Sequence, residues 1–160
     1  MKLSMVCTSF LGMAGLLFAG QAQAASADSN SLQKVITALT ITNASNLDFG
    51  TAVAGDAAKT VAADVVENDE NASFSVVGEP FYNYAIQLPA DNTVIMKKGA
   101  GGTPDTEIPV NGFDSFPMGL GSLDSNGAST LLVGATRDAL AATQESGDYI
   151  GTFTVNVVYP

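Results

Sequence analysis

From Tyr149 to Tyr159 the chain changes character at every step. Tyr149, Gly151, Phe153, Val155, Val157 and Tyr159 share one parity, and Ile150, Thr152, Thr154, Asn156 and Val158 share the other. Side chains of a strand point alternately to its two faces. The pattern therefore predicts one half-buried β-strand with an aromatic and β-branched inner face and a mostly hydroxyl and amide outer face. Its 11 residues would span about 36 Å, which is long for a strand. Uncharged and free of proline until Pro160, such a strand needs a cover, because an unpaired apolar edge invites aggregation.

Shorter runs of the same kind fill the rest of the chain. Residues 32–42 alternate, with Val35, Leu39 and Ile41 on one parity and Ile36 and Ala38 on the other, and predict one strand or two pieces joined by a slip. Residues 43–46 are a turn cluster. A second strand is expected over 47–53, interrupted by Gly50, and a third over 60–66, closed by the acidic run 67–71. Residues 72–77 alternate up to Gly78-Glu79-Pro80. Residues 82–88 follow, with Tyr82, Tyr84, Ile86 and Leu88 on one face. Further strands are expected at 94–96, 110–118 and 128–133, with a loop at 97–109, a turn at 123–127 and one helical turn at 139–143. Eight or nine short strands separated by turn residues, with no sustained helical period, predict an all-β fold, most simply a two-sheet sandwich.

The N-terminus departs from this pattern. Lys2 precedes an apolar run over residues 5–19, and Ala22-Gln23-Ala24 fits the small-x-small rule for a secretory leader. Cleavage is expected after Ala24, leaving an extension over residues 25–36 and a sandwich domain over 37–160. The apolar run is too short to span a bilayer comfortably, and no later stretch approaches one. The only cysteine, Cys7, would leave with the leader, so the exported chain would rely on its hydrophobic core rather than on disulfides. Its neighbours do not form a lipoprotein box.

Charge and composition narrow the chemistry. Sixteen acidic residues face 6 basic ones, net −10, and losing Lys2 leaves 16 against 5, net −11. Such a surface repels phosphate backbones and argues against nucleic acid as a partner. The sequence has no His, which removes the commonest general base and metal ligand. No serine lies in a Gly-x-Ser-x-Gly elbow, so nucleophilic catalysis has no support. Asp124-Ser-Asn-Gly127 resembles the start of a calcium loop, but Ala135 stands where the distal Glu belongs, so a tight turn is expected. Glu67, Asp69 and Glu70 could attract a cation weakly, though an acidic run is usually a solvated loop. Asn43 and Asn71 fall in short glycosylation-like triplets that chance explains. Tyr82 and Tyr84 could stack on a sugar, but sharing a face with Ile86 and Leu88 favours core packing. No enzymatic activity, cofactor or metal is expected.

Two resemblances add to this reading. The penultimate Tyr159 and Gly147, fourteenth from the end, resemble the C-terminal strand of chaperone–usher pilus subunits. Leu47-Asp-Phe-Gly-Thr51, Phe74-Ser-Val-Val-Gly-Glu-Pro80, Tyr84-Ala-Ile-Gln-Leu-Pro89, Leu132-Val-Gly-Ala135 and residues 147–157 together resemble a bacterial family catalogued as domain of unknown function 4402. Some of these elements are also similar to archaic pilus subunits of the spore-coat-U type. The pilus resemblance implies an immunoglobulin-like sandwich lacking a strand, exported through the periplasm to the cell surface and assembled by donor-strand complementation. It implies partners of three kinds: other pilin-like subunits, a periplasmic chaperone and an outer-membrane usher. By the same resemblance Phe153, Val155, Val157 and Tyr159 line the acceptor edge, and Leu32, Val35, Ile36 and Ala38 belong to the donor strand. The chain departs from the usual subunits in lacking a disulfide and in having a short polar extension. The alternative is a self-complete secreted sandwich acting as a monomeric binding or matrix protein, whose terminal edge would be paired within its own chain.

Overall fold

The computed structural model describes residues 25–160; the expected leader, its cleavage point and Cys7 lie outside them. The chain divides into two units, one ending at Lys34 and one spanning Val35–Pro160. Residues 25–34 of the first are exposed and carry no regular secondary structure. The second is built from nine strands: β1 (Thr40–Ser45), β2 (Lys59–Val61), β3 (Ala72–Val77), β4 (Asn83–Gln87), β5 (Val94–Lys97), β6 (Glu107–Phe116), β7 (Leu120–Ser122), β8 (Ala128–Arg137) and β9 (Asn156–Val158). A single 3-10 turn, Pro104–Thr106, precedes β6, and the described residues contain no α-helix.

The strands form an antiparallel sandwich. One sheet runs β1-β3-β8-β6-β5, and β2 also pairs with β8; the other runs β7-β4-β9. β8 is the axis of the larger sheet. Its first part pairs with β3, from Ala128↔Val77 to Val133↔Ala72, and its last part with β2, from Ala135↔Val61 to Arg137↔Lys59. Gly134 lies at the changeover. A Cβ there would stand 2.3 Å from the Val61 carbonyl oxygen and from the Ala63 nitrogen, so only glycine lets the chain leaving β2 pass. β6 pairs along the opposite edge, with a register shift between Asn111 and Asp114 where Gly112 takes φ +60.

Two adjoining cores lie between the sheets. Ala72, Val76, Tyr84, Leu123, Leu131, Val133 and Val155 form one, and Phe49, Val61, Val94, Val110 and Ala135 form the other. Phe153 joins them, packing edge-on to Phe74 at 6.2 Å and tilted on Phe113 at 5.1 Å. The other face of β8 is covered near Leu132 by the acidic segment. Ser73, paired with Leu132, donates to Glu67 at 2.5 Å, and the buried Asn71 side chain donates to the Val66 carbonyl.

Several sequence expectations are corrected. The terminal alternation is real, but only Asn156–Val158 forms a ladder, joined upstream by an isolated bridge from Ile150 to Lys97. The intervening residues join no ladder, although Gly151 still lies against Ile95 and Met96 of β5. The first strand begins at Thr40 rather than near residue 32, because none of the described residues before it joins a strand ladder. It runs on through the expected turn at 43–46, since the ladder to β3 overrides local turn preference, with a bulge between Asn43 and Ser45. Residues 47–53 are not a strand; Asp48 accepts the Gly50 N–H at 2.7 Å and Gly50 takes φ +67. The 60–66 strand shrinks to β2, the loop expected at 97–109 gives way to β6 from Glu107, β8 extends four residues past the expected end at Val133, and 139–143 contains no helix.

Candidate functional site at the terminal strand

The last strand crosses the sandwich diagonally. At one end Ile150 exchanges two backbone hydrogen bonds with Lys97 of β5, at 2.9 and 3.0 Å. At the other end β9 pairs with β4 through Ala85↔Val158, Ile86↔Val157 and Gln87↔Asn156. Side chains of odd parity turn inward, as their periodicity predicts. Val155 is buried, and Phe153, Val157 and Tyr159 are half-buried, while Thr152, Thr154, Asn156 and Val158 are exposed.

The backbone between these anchors is open. Residues 151–155 belong to no ladder, and none of their backbone groups enters a loop or turn hydrogen bond among the described residues. β9 is an edge strand with β4 on one side only, and its neighbour in the other sheet, β1, is also an edge strand. The core beneath shows the same opening. Its seven buried members are outnumbered by ten partly buried apolar side chains, among them Leu39, Ile41, Phe153, Val157 and Tyr159. Extended backbone of this kind has unsatisfied donors and acceptors that a further strand could pair.

Tyr159 does more than line that edge. Its hydroxyl accepts the Glu79 N–H at 2.7 Å and donates to the Thr37 carbonyl at 2.9 Å, and its ring packs edge-on to Tyr82 at 5.9 Å. The Thr37 N–H in turn donates to the Glu79 carboxylate at 2.9 Å. Gly78 makes the room, since a Cβ there would lie 2.3 Å from the Tyr159 hydroxyl. The C-terminus thus clasps the chain at Thr37. Of the expected donor residues, Leu32, Val35 and Ile36 lie upstream of the clasp and Ala38 downstream. Leu32 is 92% exposed and Val35 83%, whereas Ile36 is half-buried.

The remaining candidates are structural. Asp124 accepts backbone N–H groups from Ala128 at 2.9 Å and Asn126 at 2.7 Å, which hold its carboxyl below the usual range, and Gly127 takes φ +75. This is the expected tight turn. Asp48, Glu67 and Asp69 line a shallow crevice, but no group of carboxylates among the described residues is arranged to hold a metal ion. Tyr84 is fully buried, donates to Ser129 at 3.0 Å and has its phenol pKa raised by that burial, so it is core and no sugar platform. Asn71 is buried and hydrogen-bonded, while Asn43 is exposed within β1.

Besides the clasp, sequence reasoning missed a cavity of about 750 Å³ between residues 47–54 and 144–149 with Arg137 in its wall. A signal for it existed. Arg137 shares the inward parity of Leu131, Val133 and Ala135, so a charge on an apolar face was visible in the spacing.

No curated protein shows a significant match to the chain. The family described as Domain of unknown function (DUF4402) matches residues 39–159, which reach from half-buried Leu39, just ahead of β1, to the clasping tyrosine, and the chain belongs to that family.

Proposed function

We propose that this chain is an exported structural subunit of a surface fibre, assembling by donation of its N-terminal segment to the open edge of the next copy. The reading rests on one observation: the extended backbone of residues 151–155 has no partner strand, while its side chains already sit on the core. A donated strand would satisfy those backbone groups and cover Phe153, Val155, Val157 and Tyr159. The donor would be supplied by residues 25–36, where Leu32 and Val35 are exposed. A periplasmic chaperone would guard the same edge before assembly, and an usher would deliver subunits to the cell surface.

The test is sedimentation of the chain from Ala25 and of a form from Thr37, each with and without a peptide covering residues 31–41. The longer form should make concentration-dependent oligomers. The shorter form should stay monomeric and be stabilised by the peptide. Val155→Asp should abolish both effects, since Val155 is 7% exposed and a buried unpaired carboxylate is costly. A monomeric longer form at high concentration, with a shorter form indifferent to the peptide, would favour the self-complete monomeric sandwich instead.

A further inference from the structure

We infer that the cavity beside the start of the terminal strand binds a small organic monocarboxylate against Arg137. Arg137 is the only arginine in the sequence, and it is 5% exposed in the cavity wall. Its Nη1 donates to the Asp138 carbonyl at 3.0 Å, and its buried Nε has no hydrogen-bond partner among the described residues. The ion pairs formed nearby belong to other cations: Lys59 with Glu70 and Lys98 with Glu145. A buried guanidinium without a counter-charge is costly, and a carboxylate matches its fork with two parallel hydrogen bonds.

The rest of the cavity selects the kind of acid. Leu47, Phe49, Met96, Ile108 and Leu140 supply apolar wall, and a volume of about 750 Å³ holds an aromatic or branched body of modest size. Asp48, Glu145 and Asp148 stand exposed around it. Lys98 neutralises Glu145 at 2.9 Å, and the other two disfavour anions of higher charge such as phosphates. A single carboxylate on an apolar body fits both demands.

The test is calorimetric titration of the purified chain with 3-phenylpropionate and with the uncharged 3-phenylpropionamide. The acid should bind at least about tenfold more tightly than the amide, a difference of about 1.4 kcal/mol. Arg137→Gln should reduce the acid to the level of the amide, and Arg137→Lys should fall between. Because a change at a buried residue can impair folding, Leu140→Trp provides an independent check by filling the cavity, and it should abolish binding of both compounds. Equal binding of acid and amide, no binding of the acid up to about 10 mM, or undiminished binding to Leu140→Trp would each overturn the assignment. So would acid binding that disappears when the chain is concentrated enough to self-associate, which would assign the carboxylate to a neighbouring copy. The titration does not depend on fibre formation, so either idea can fail alone.

Discussion

Replacing Tyr159 by Phe isolates the clasp from the packing around it. The ring stays, with its edge-on contact to Tyr82, so little apolar burial is lost. What goes is the hydroxyl that accepts the Glu79 N–H at 2.7 Å and donates to the Thr37 carbonyl at 2.9 Å. Each hydrogen bond contributes about 0.5–1.5 kcal/mol net, and a partly buried N–H left without a partner adds toward the lower end of its desolvation penalty. The expected loss is about 1.5–2.5 kcal/mol, or about 5–10 °C in Tm for a domain of this size. Urea unfolding measures it, and the denaturant slope should not change because the folded surface is the same. Amide exchange gives a local readout: the Glu79 N–H should exchange faster in the variant, while that of Val133, in the centre of β8, slows or quickens only with global stability. A loss below about 0.5 kcal/mol with Glu79 exchange unchanged would show that the hydroxyl is not a clasp, and that the C-terminus is held by its side-chain packing alone.

Three further outcomes follow from the same geometry. Gly134→Ala puts a Cβ 2.3 Å from two backbone atoms of the β2 crossing and should cost about 3 kcal/mol or more in thermal or chemical unfolding. Tyr84→Phe loses the bond to Ser129 and should destabilise by about 1 kcal/mol. Since burial raises the Tyr84 phenol above 10.0, wild-type stability should be full below that value and fall as pH rises through the folded-state pKa, a decline the Phe variant lacks. Asp124 behaves in the opposite sense. Its carboxyl is held low by the Ala128 and Asn126 N–H groups, so its contribution is present above the unfolded value and lost as pH falls through the depressed one; Asp124→Asn should flatten that part of the acid unfolding profile.

What the sequence made legible was the face of each strand; what it hid was the partner. Parity alone put Phe153, Val155 and Val157 inward and Tyr84 in the core, because side-chain direction is a local property of extended backbone. Pairing is not local. Residues 32–39 and 151–155 alternate as well as any strand in the chain, yet neither has a ladder, and Asn43 to Ser45 look like a turn but pair with β3. The clasp was equally out of reach. Tyr159 and Thr37 are 122 residues apart, and nothing in either stretch signals a hydroxyl to carbonyl bond through a gap left by Gly78. The Asp124 turn was legible because its chemistry is contained in five residues.

The clasp also fixes which side of the donor segment should matter, if strand donation is the way the open edge is filled. With Thr37 held by Tyr159 and Glu79, the segment available to another copy ends at Ile36. Within it, Leu32 and Ile36 share the even parity and Val35 lies on the odd one with Ser31 and Gln33. A strand laid along residues 151–157 can turn only one parity toward the core. The even face carries two apolar residues and Lys34, whose ammonium can reach the rim on its apolar stem. The odd face carries one apolar residue among polar ones. The even register is therefore the one expected: Leu32→Asp and Ile36→Asp should each abolish oligomers in sedimentation, because a carboxylate would enter the core unpaired. Val35→Asp should leave assembly within about twofold of wild type, its side chain facing water. Loss of assembly in Val35→Asp with assembly retained in Ile36→Asp would reverse the register, and equal loss in both would mean that the segment docks by something other than an alternating strand.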